Sequence, residues 1–252
     1  MEPLGILIVA TVIFLASAIQ SAVGFAYALF ATPLLIWTGM PLPSAITIVA
    51  LCSFVQAALG ATHLRGAVPW RPFLAATPIR LVTLAAGLFF LKRITAFSVN
   101  DIRMVIGAIL CVLVGAQSIR TVHPLGNLHW TWGGLAFAAS GLLSGVCGMG
   151  GPPLVLWSMA QDWSVATTRG FLFASFAALI PVHIGLLYLT FGRDILHSLG
   201  IALLLTPAVV AGVGIGLPIG NRIPKPLLRK VVNLILFAIG VSSVVQPLLH
   251  RL

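Results

Sequence analysis

Residues 130–160 read WTWGGLAFAASGLLSGVCGMGGPPLVLWSMA, a stretch of 31 residues without one charged side chain. A straight α-helix of that length would be about 47 Å long, whereas about 20 residues suffice to cross a bilayer core of about 30 Å. Residues 4–37 form a second uncharged stretch, of 34 residues. Each stretch predicts a membrane helix that is strongly tilted, broken, or folded back as a re-entrant hairpin.

The composition of the whole chain indicates the same environment. Of its 252 residues, 60% are hydrophobic and only 7% are charged, with a mean hydropathy of +1.12. A soluble domain carries about 25% charged residues. A backbone in lipid must satisfy its own hydrogen bonds, which leaves helices or a closed barrel, and long apolar runs without strand alternation favour helices. The fold class we expect is an all-α integral membrane protein.

The apolar runs predict about eight transmembrane helices. The net charge of +10 comes from basic residues in the short gaps between runs, which is typical of topology determinants rather than of a nucleic-acid interface. We therefore expect the lipid bilayer, and no nucleic acid, as a partner. The predicted spans are 4–37, 42–62, 72–91, 104–119, 130–160, 165–190, 198–220 and 227–249.

The two halves of the chain contain ordered matches. They predict a single transmembrane domain, 1–252, made of two homologous repeats, about 1–122 and about 128–252, each opening with one of the long runs. Such duplications are typical of transporters, whose site lies at the repeat interface near mid-membrane. The clearest matches are Thr77-Pro78 with Thr206-Pro207, Gly87 with Gly216, Arg93-Ile94 with Arg222-Ile223, and Pro33-Leu34 with Pro153-Leu154.

Charge predicts an orientation if each long run crosses the membrane once. The larger basic set then lies in the cytoplasm, which places both termini outside the cell (inner) membrane and favours a parallel duplication. The larger set is Lys92, Arg93, Arg103, Arg169, Arg222, Lys225, Arg229 and Lys230; the smaller is Arg65, Arg71, Arg120, Arg193 and Arg251.

The break in the second long run is the strongest candidate site. Glycines weaken a helix and prolines remove backbone donors, so such a break survives at membrane depth only where it lines a cavity or packs against protein. Prolines favour the first turn of a new half-helix, and N–H groups at that helix start suit an anion. The candidate residues are Ser144, Gly148, Gly150 and Gly151, and the alternative is a packed kink.

The corresponding break in the first run, at residues 24–33, contains few glycines. Gln20, Ser21 and Tyr27 could supply polar groups to a site there. Ordinary hydrogen bonding between helices is the alternative.

Three titratable residues inside or near the spans are further candidates. Arg80 stands in the middle of an apolar run that holds no acid, so a transported anion is a natural partner, with carbonyl capping or snorkelling as the alternative. Arg169 is a second anion-binding candidate or a topology anchor. His183 is a candidate for proton coupling, or a packing histidine.

Other features predict no further chemistry. Cys52, Cys111 and Cys147 lie in apolar runs without metal-ligand spacing, so we expect no metal and no cofactor. Glycines at 212, 216 and 220 form a small-residue stripe that favours packing within the chain, with a homodimer interface as the alternative.

The two breaks also resemble those of a known family. Gly145-Val146-Cys147-Gly148-Met149-Gly150-Gly151-Pro152-Pro153-Leu154, with Gly24-Phe25 leading to Pro33-Leu34, is similar to the TauE/SafE sulfite exporter family. Ala26, Tyr27 and Ala28 stand where the family often has glycines. The resemblance implies a secondary transporter that exports sulfite, sulfonates or related small anions.

Two other classes of function compete with transport. A membrane scaffold or assembly subunit predicts a closed, apolar centre. An intramembrane enzyme would need Ser144 or Cys147 brought to His183 by the fold, because neither has a base nearby in sequence. We expect no enzyme.

Overall fold

The computed structural model describes residues 3–119 and 129–249, which form eleven α-helices, one short 3₁₀ helix at Arg65–Ala67, and no strand. An all-helical chain of this hydropathy confirms the predicted class of membrane protein. The helices are α1 (Pro3–Val23), α2 (Tyr27–Trp37), α3 (Leu42–His63), α4 (Trp70–Ile94), α5 (Val99–Ile119), α6 (Trp130–Cys147), α7 (Gly151–Met159), α8 (Val165–Phe191), α9 (Asp194–Leu204), α10 (Thr206–Arg222) and α11 (Lys225–Leu249).

Six of these helices are long and apolar enough to cross a membrane, or seven if the pair α9 and α10 is one span. The run 198–220 was predicted as one span; in the structure it falls on two helices, α9 and α10, which meet at Leu205 with a bend of 47°. Helix α3 is the central one, since 61% of its most apolar window is buried, against 28–39% in the other five candidates.

The second long run folds back on itself as a helical hairpin. Gly133, near the start of α6, lies against Trp157 near the end of α7. The Phe137 and Trp157 rings are 4.7 Å apart, and the Ser140 hydroxyl donates to the Gly150 carbonyl oxygen at 2.6 Å. Contacts that converge toward the break define an antiparallel pair, so α6 and α7 do not form one crossing.

Helix α1 runs alongside α10 in the same direction. A Cβ on Gly216 would meet the backbone of Ala18, and one on Gly220 would meet Ala22 at 2.6 Å. One turn earlier, a Cβ on Gly212 would likewise meet Phe14 and Ser17 of α1. The glycine stripe of α10 therefore packs within the chain, as expected for small residues that let two helices approach closely.

The first long run also reverses direction at its break. The Arg229 guanidinium carbon lies 6.0 Å from the Phe25 ring centroid, and the Trp37 indole donates to the Ser243 hydroxyl at 2.9 Å. Helix α2 thus runs parallel to α11, and α1 runs parallel to α10. Helices α10 and α11 have 17 and 25 residues and would span about 63 Å end to end, twice a bilayer core, so the chain reverses between them, and α1 and α2 reverse with it.

Helices α4 and α6 form the counterpart of the α1–α10 pair. A Cβ on Gly141 would meet Thr83, and a Cβ on Gly145 would lie 2.8 Å from Gly87. Contacts that advance together along both helices make the pair parallel. Each hairpin therefore packs lengthwise on a helix from the other half of the chain.

Helix α3 crosses the bundle antiparallel to α8. A Cβ on Gly60 of α3 would meet the Phe173 ring of α8 at 2.5 Å. Gly170 comes earlier in α8, and a Cβ there would lie 3.3 Å from the carbonyl oxygen of Leu64, which comes after Gly60. The two helices therefore run in opposite directions.

Helices α5 and α11 are antiparallel as well, and this corrects the predicted grouping of the basic residues. Asn233, near the start of α11, donates to Ser118 at the end of α5, and Gly107 packs against Ser243 near the end of α11. The loops 95–98 and 223–224 therefore lie on opposite faces. The assumption that each long run crosses once was wrong, and so was the grouping of Lys92 and Arg93 with Arg222.

Candidate functional site

The two hairpin tips meet at one internal cavity, together with the middle of α3 and of α8. It offers about 80 Å³ to the centres of water-sized molecules, which is several times the 10–15 Å³ or so that one water needs. That is room for a small solute. The polar side chains among the residues that line it are Gln20, Tyr27, Ser53, Ser144 and His183.

The tip of the second hairpin presents backbone to this cavity. Helix α6 ends at Gly148 in the left-handed conformation (φ +74°), and α7 begins at Gly151. Gly148, Gly150 and Gly151 all line the cavity. The first N–H groups of a helix have no partner within it and carry a partial positive charge; since Pro152 and Pro153 have no N–H, this helix start offers those of Gly150 and Gly151. The tip is therefore suited to hold negative charge.

The tip of the first hairpin is more closed. Gly24 (φ +93°) and Ala26 (φ +92°) both adopt positive φ, and the Tyr27 N–H donates to the Gln20 Oε1 atom at 3.0 Å. The Gln20 side chain thus satisfies a donor that would otherwise face the cavity. Its own amide NH₂ group remains available as a donor at the cavity wall.

Arg80 is buried, with 1% of its surface exposed, and lies one layer behind the cavity. Its Nη1 atom donates to the Ser175 carbonyl oxygen at 2.7 Å, and Nε donates to the Ser140 hydroxyl at 3.2 Å. Its Nη2 atom has no hydrogen-bond partner in the described part of the chain. The Phe176 ring, 5.6 Å from the guanidinium carbon, is a cavity wall.

A relay of hydrogen bonds connects Arg80 to the second hairpin tip. The Ser140 hydroxyl gives its one proton to the Gly150 carbonyl oxygen at 2.6 Å and so accepts from Arg80. The Ser144 hydroxyl donates to the Ser140 carbonyl oxygen at 2.8 Å. Arg80 therefore fixes the position of the tip. Its direct contact with an anion stays a prediction.

Arg169 and Ser21 lie next to the first tip but do not line the cavity. The Arg169 Nε atom would be 3.9 Å from a Cβ on Gly24. The Ser21 hydroxyl accepts from the Gln56 side chain at 2.7 Å. Their predicted roles in binding are not tested by this geometry.

Two buried polar atoms at the cavity wall lack partners. The His183 Nε2 atom has no hydrogen bond within the described residues, and the Tyr27 hydroxyl, which lies near Ser17 and Cys52, forms none of ordinary geometry there; the two side chains are only 3% and 2% exposed. A buried polar group without a partner costs about 1–3 kcal/mol. Such atoms indicate a place where a solute completes the hydrogen bonding.

Sequence reasoning missed Ser140, Ser175 and Phe176, all of which contact Arg80. They come from helices far from Arg80 along the chain, and no motif marks them. Ser53, which lines the cavity from α3, was also missed.

The arrangement does not assemble a catalytic pair. Ser144 and His183 line the same cavity, but the Ser144 hydroxyl donates to Ser140 rather than to the imidazole. The Cys147 thiol donates to the Leu143 carbonyl oxygen at 3.2 Å. Over residues 3–119 and 129–249, no three His, Cys, Asp or Glu side chains cluster as metal ligands would.

A membrane-embedded helical bundle in which two broken helices meet at a buried polar cavity has the architecture of a secondary transporter. The chain belongs to the sulfite exporter TauE/SafE family, whose family model matches residues 9–243. Neither the curated proteins nor the solved structures contain a match to it. The family is one of membrane transporters, in agreement with the class that the fold defines.

Proposed function

We propose that the protein exports small sulfur oxyanions, sulfite or an organosulfur anion, across the cell membrane. One observation carries the proposal: both hairpin tips converge on a cavity whose wall combines helix-start N–H groups with unpartnered polar side chains. A scaffold subunit would need no such cavity. The identity of the anion and the export direction come from the family.

The anion would be held chiefly by neutral donors. The residues that would supply these donors, Gly150, Gly151, Tyr27 and Gln20, all line the cavity. Oxyanions accept several hydrogen bonds, and donors at helix starts suit them. The Ser144 hydroxyl donates to Ser140 and would have to rotate before it could bind the anion.

Arg80 would contribute its positive charge from behind the wall. Helices α4, α6 and α8 contain no carboxylate, so nothing on these helices neutralises the guanidinium. Charges interact strongly in a medium of low dielectric constant, even without contact. Arg80 would therefore raise the affinity of the cavity for anions while its hydrogen bonds hold the Gly150 tip in place.

The helix directions support an inverted pair of repeats, with one hairpin entering from each face. Inverted repeats allow the two halves to exchange conformations, which opens a central site to either side in turn. With loops 95–98 and 223–224 on opposite faces, the basic residues near the two faces in the described part of the chain divide seven to four. The positive-inside rule then favours a cytoplasmic location for the larger set and an outside location for both termini. The sets are Arg65, Arg71, Arg169, Arg222, Lys225, Arg229 and Lys230, against Lys92, Arg93, Arg103 and Arg193.

Flux into proteoliposomes tests the proposal. Purified protein should carry sulfite, sulfate, thiosulfate or sulfoacetate with saturable kinetics. Arg80→Gln should lower the flux at least tenfold, because about 1.4 kcal/mol of lost binding energy has that effect. Arg71→Gln, an exposed arginine at the start of the same helix, is the matched control and should not. Absence of flux for all four anions would overturn the proposal and favour the scaffold.

A further inference from the structure

His183 presents an imidazole to the cavity with one ring nitrogen unsatisfied. The residue lies on α8, lines the cavity, and is buried, with its Nε2 atom lacking a partner among the residues described. We propose that His183 binds a proton together with the anion, so that the proton is a co-substrate of the transporter. The inference rests on the proposed anion transport and names a second species carried at the same site.

The charge of the cavity wall is the first argument. None of the described residues that line it is a lysine, arginine, aspartate or glutamate. Moving an ion from water into an apolar interior is costly unless the ion meets an opposite charge. Arg80 offsets part of that cost, but Phe176 keeps its guanidinium out of the cavity. Among the residues of the wall itself, only a protonated histidine could offer the anion a positively charged donor.

The neighbours of His183 are the second argument. Tyr27 is the one other titratable group that lines the cavity in the described part of the chain, and it cannot act as a cation because its protonated form is neutral. Helix α7 carries no charged or titratable residue. The remaining such groups on the elements packed against α8, and on α8 itself, are Cys52, His63, Arg65, Arg71, Arg80, Lys92, Arg93, Arg169, Tyr188, Asp194 and His197.

None of those remaining groups lines the cavity, so no carboxylate competes with the anion for the imidazolium. Histidine is the side chain whose ordinary pKa lies within the physiological range, so it can gain and lose a proton in each cycle. Cationic residues nearby, Arg80 above all, disfavour a proton on an empty site. A bound anion reverses that preference, which couples the two binding events.

The step balances in atoms and charge. A proton from water adds to the lone pair of the neutral imidazole, and the resulting imidazolium has two N–H donors. When the anion leaves, the proton returns to water on the same side. A monoanion thus crosses with no net charge, whereas a dianion crosses with one net negative charge. A membrane potential that is negative inside therefore drives the dianion outward.

Calorimetry on the full-length protein in nanodiscs tests the coupling. Methanesulfonate and sulfate are suitable probes because both stay fully ionised between mildly acidic and mildly alkaline pH, so any proton taken up belongs to the protein. Titrations in triethanolamine and in Tris, two amine buffers that are not oxyanions and whose ionisation enthalpies differ, give the number of protons bound per anion. At pH near 8 we expect about one proton per anion and an affinity that drops about tenfold per pH unit, because the empty site keeps His183 neutral whereas the bound anion stabilises its proton.

Variants assign the proton to its site. His183→Gln should bind the probe with no proton uptake and with an affinity that no longer depends on pH. His197→Gln, an exposed histidine on α9, is the matched control and should behave like the wild type. If His183→Gln does not fold, His183→Asn serves as the second variant. The proton count of the wild-type protein tests the coupling without any variant.

The possible outcomes separate this inference from the proposed function. Anion binding without proton uptake by the wild type overturns the role of His183 and leaves anion transport standing. Uptake that persists in both His183 variants also overturns it. If neither probe binds and the four sulfur anions show no flux, the proposed function fails, and the proton coupling fails with it.

Discussion

Gly150 offers the sharpest test of how the second hairpin tip is built. A Cβ added there would fall on the Ser140 carbonyl oxygen and on the Ser144 hydroxyl, well inside van der Waals contact. The carbonyl belongs to the α6 backbone and cannot turn away, so Gly150→Ala must push the tip off α6. That movement also breaks the hydrogen bond from Ser140 to the Gly150 carbonyl.

The expected cost follows from those two contacts. Overpacking of this kind costs about 1–3 kcal/mol, and a lost hydrogen bond about 1 kcal/mol, so Gly150→Ala should lower stability by about 2–4 kcal/mol. For a chain of this size that is a fall in Tm of roughly 4–16 °C. Anion flux should fall with it, because Gly150 lines the cavity.

Gly151→Ala is the matched control for this substitution. A Cβ at Gly151 would lie 3.7 Å from the Phe176 ring, an ordinary contact, and alanine favours the helix by roughly 0.5–1 kcal/mol. Thermal unfolding in detergent, followed by tryptophan fluorescence, compares the two variants. Adding Ser144→Ala to Gly150→Ala should restore only part of the loss, since the Ser140 carbonyl remains. Equal Tm values for Gly150→Ala and Gly151→Ala would refute the proposed geometry.

Three further predictions concern other parts of the chain. Ala26→Gly should raise stability by about 1 kcal/mol, because alanine at φ +92° is strained. Ala28→Gly, inside α2, should lower stability instead. Tm measurements that rank the two variants the other way would contradict this prediction. Gly216→Val should loosen the α1–α10 contact and lower Tm, while Gly214→Val, which faces open space, should not; equal losses would argue against close packing of these helices. Ser98→Cys and Pro224→Cys, each in a chain without its native cysteines, should react with an impermeant thiol reagent from opposite sides of the membrane, and labelling from one side would contradict the antiparallel α5–α11 pair.

The sequence predicts where the chain breaks but not which way it then turns. Glycine and proline disfavour a continuous helix wherever they cluster, so residues 148–153 were identifiable as a break. The reversal depends on contacts such as Phe137 with Trp157. These pair side chains 20 positions apart, and a run of 31 uncharged residues is equally consistent with tilt, kink or hairpin.

The site residues also divide into those that the local sequence identifies and those that depend on how the helices pack. Gly150 and Gly151 could be named in advance because local backbone chemistry singles them out. His183 and Arg80 stood out as ionisable groups in apolar runs. That one faces the cavity and the other lies behind Phe176 depends on how α4 and α8 pack, which hydropathy does not encode.

Each hairpin packs lengthwise on a helix of the opposite half, so the two halves of the bundle are interlocked. Helix α1 depends on the glycine face of α10, and α6 depends on α4, so either half made alone would leave a strip of bare backbone-rich surface without its match. Each half is therefore expected to be stable only when packed against the other. A displacement of either half must also carry the other's hairpin with it, so neither tip can leave the cavity without moving the helix that holds it.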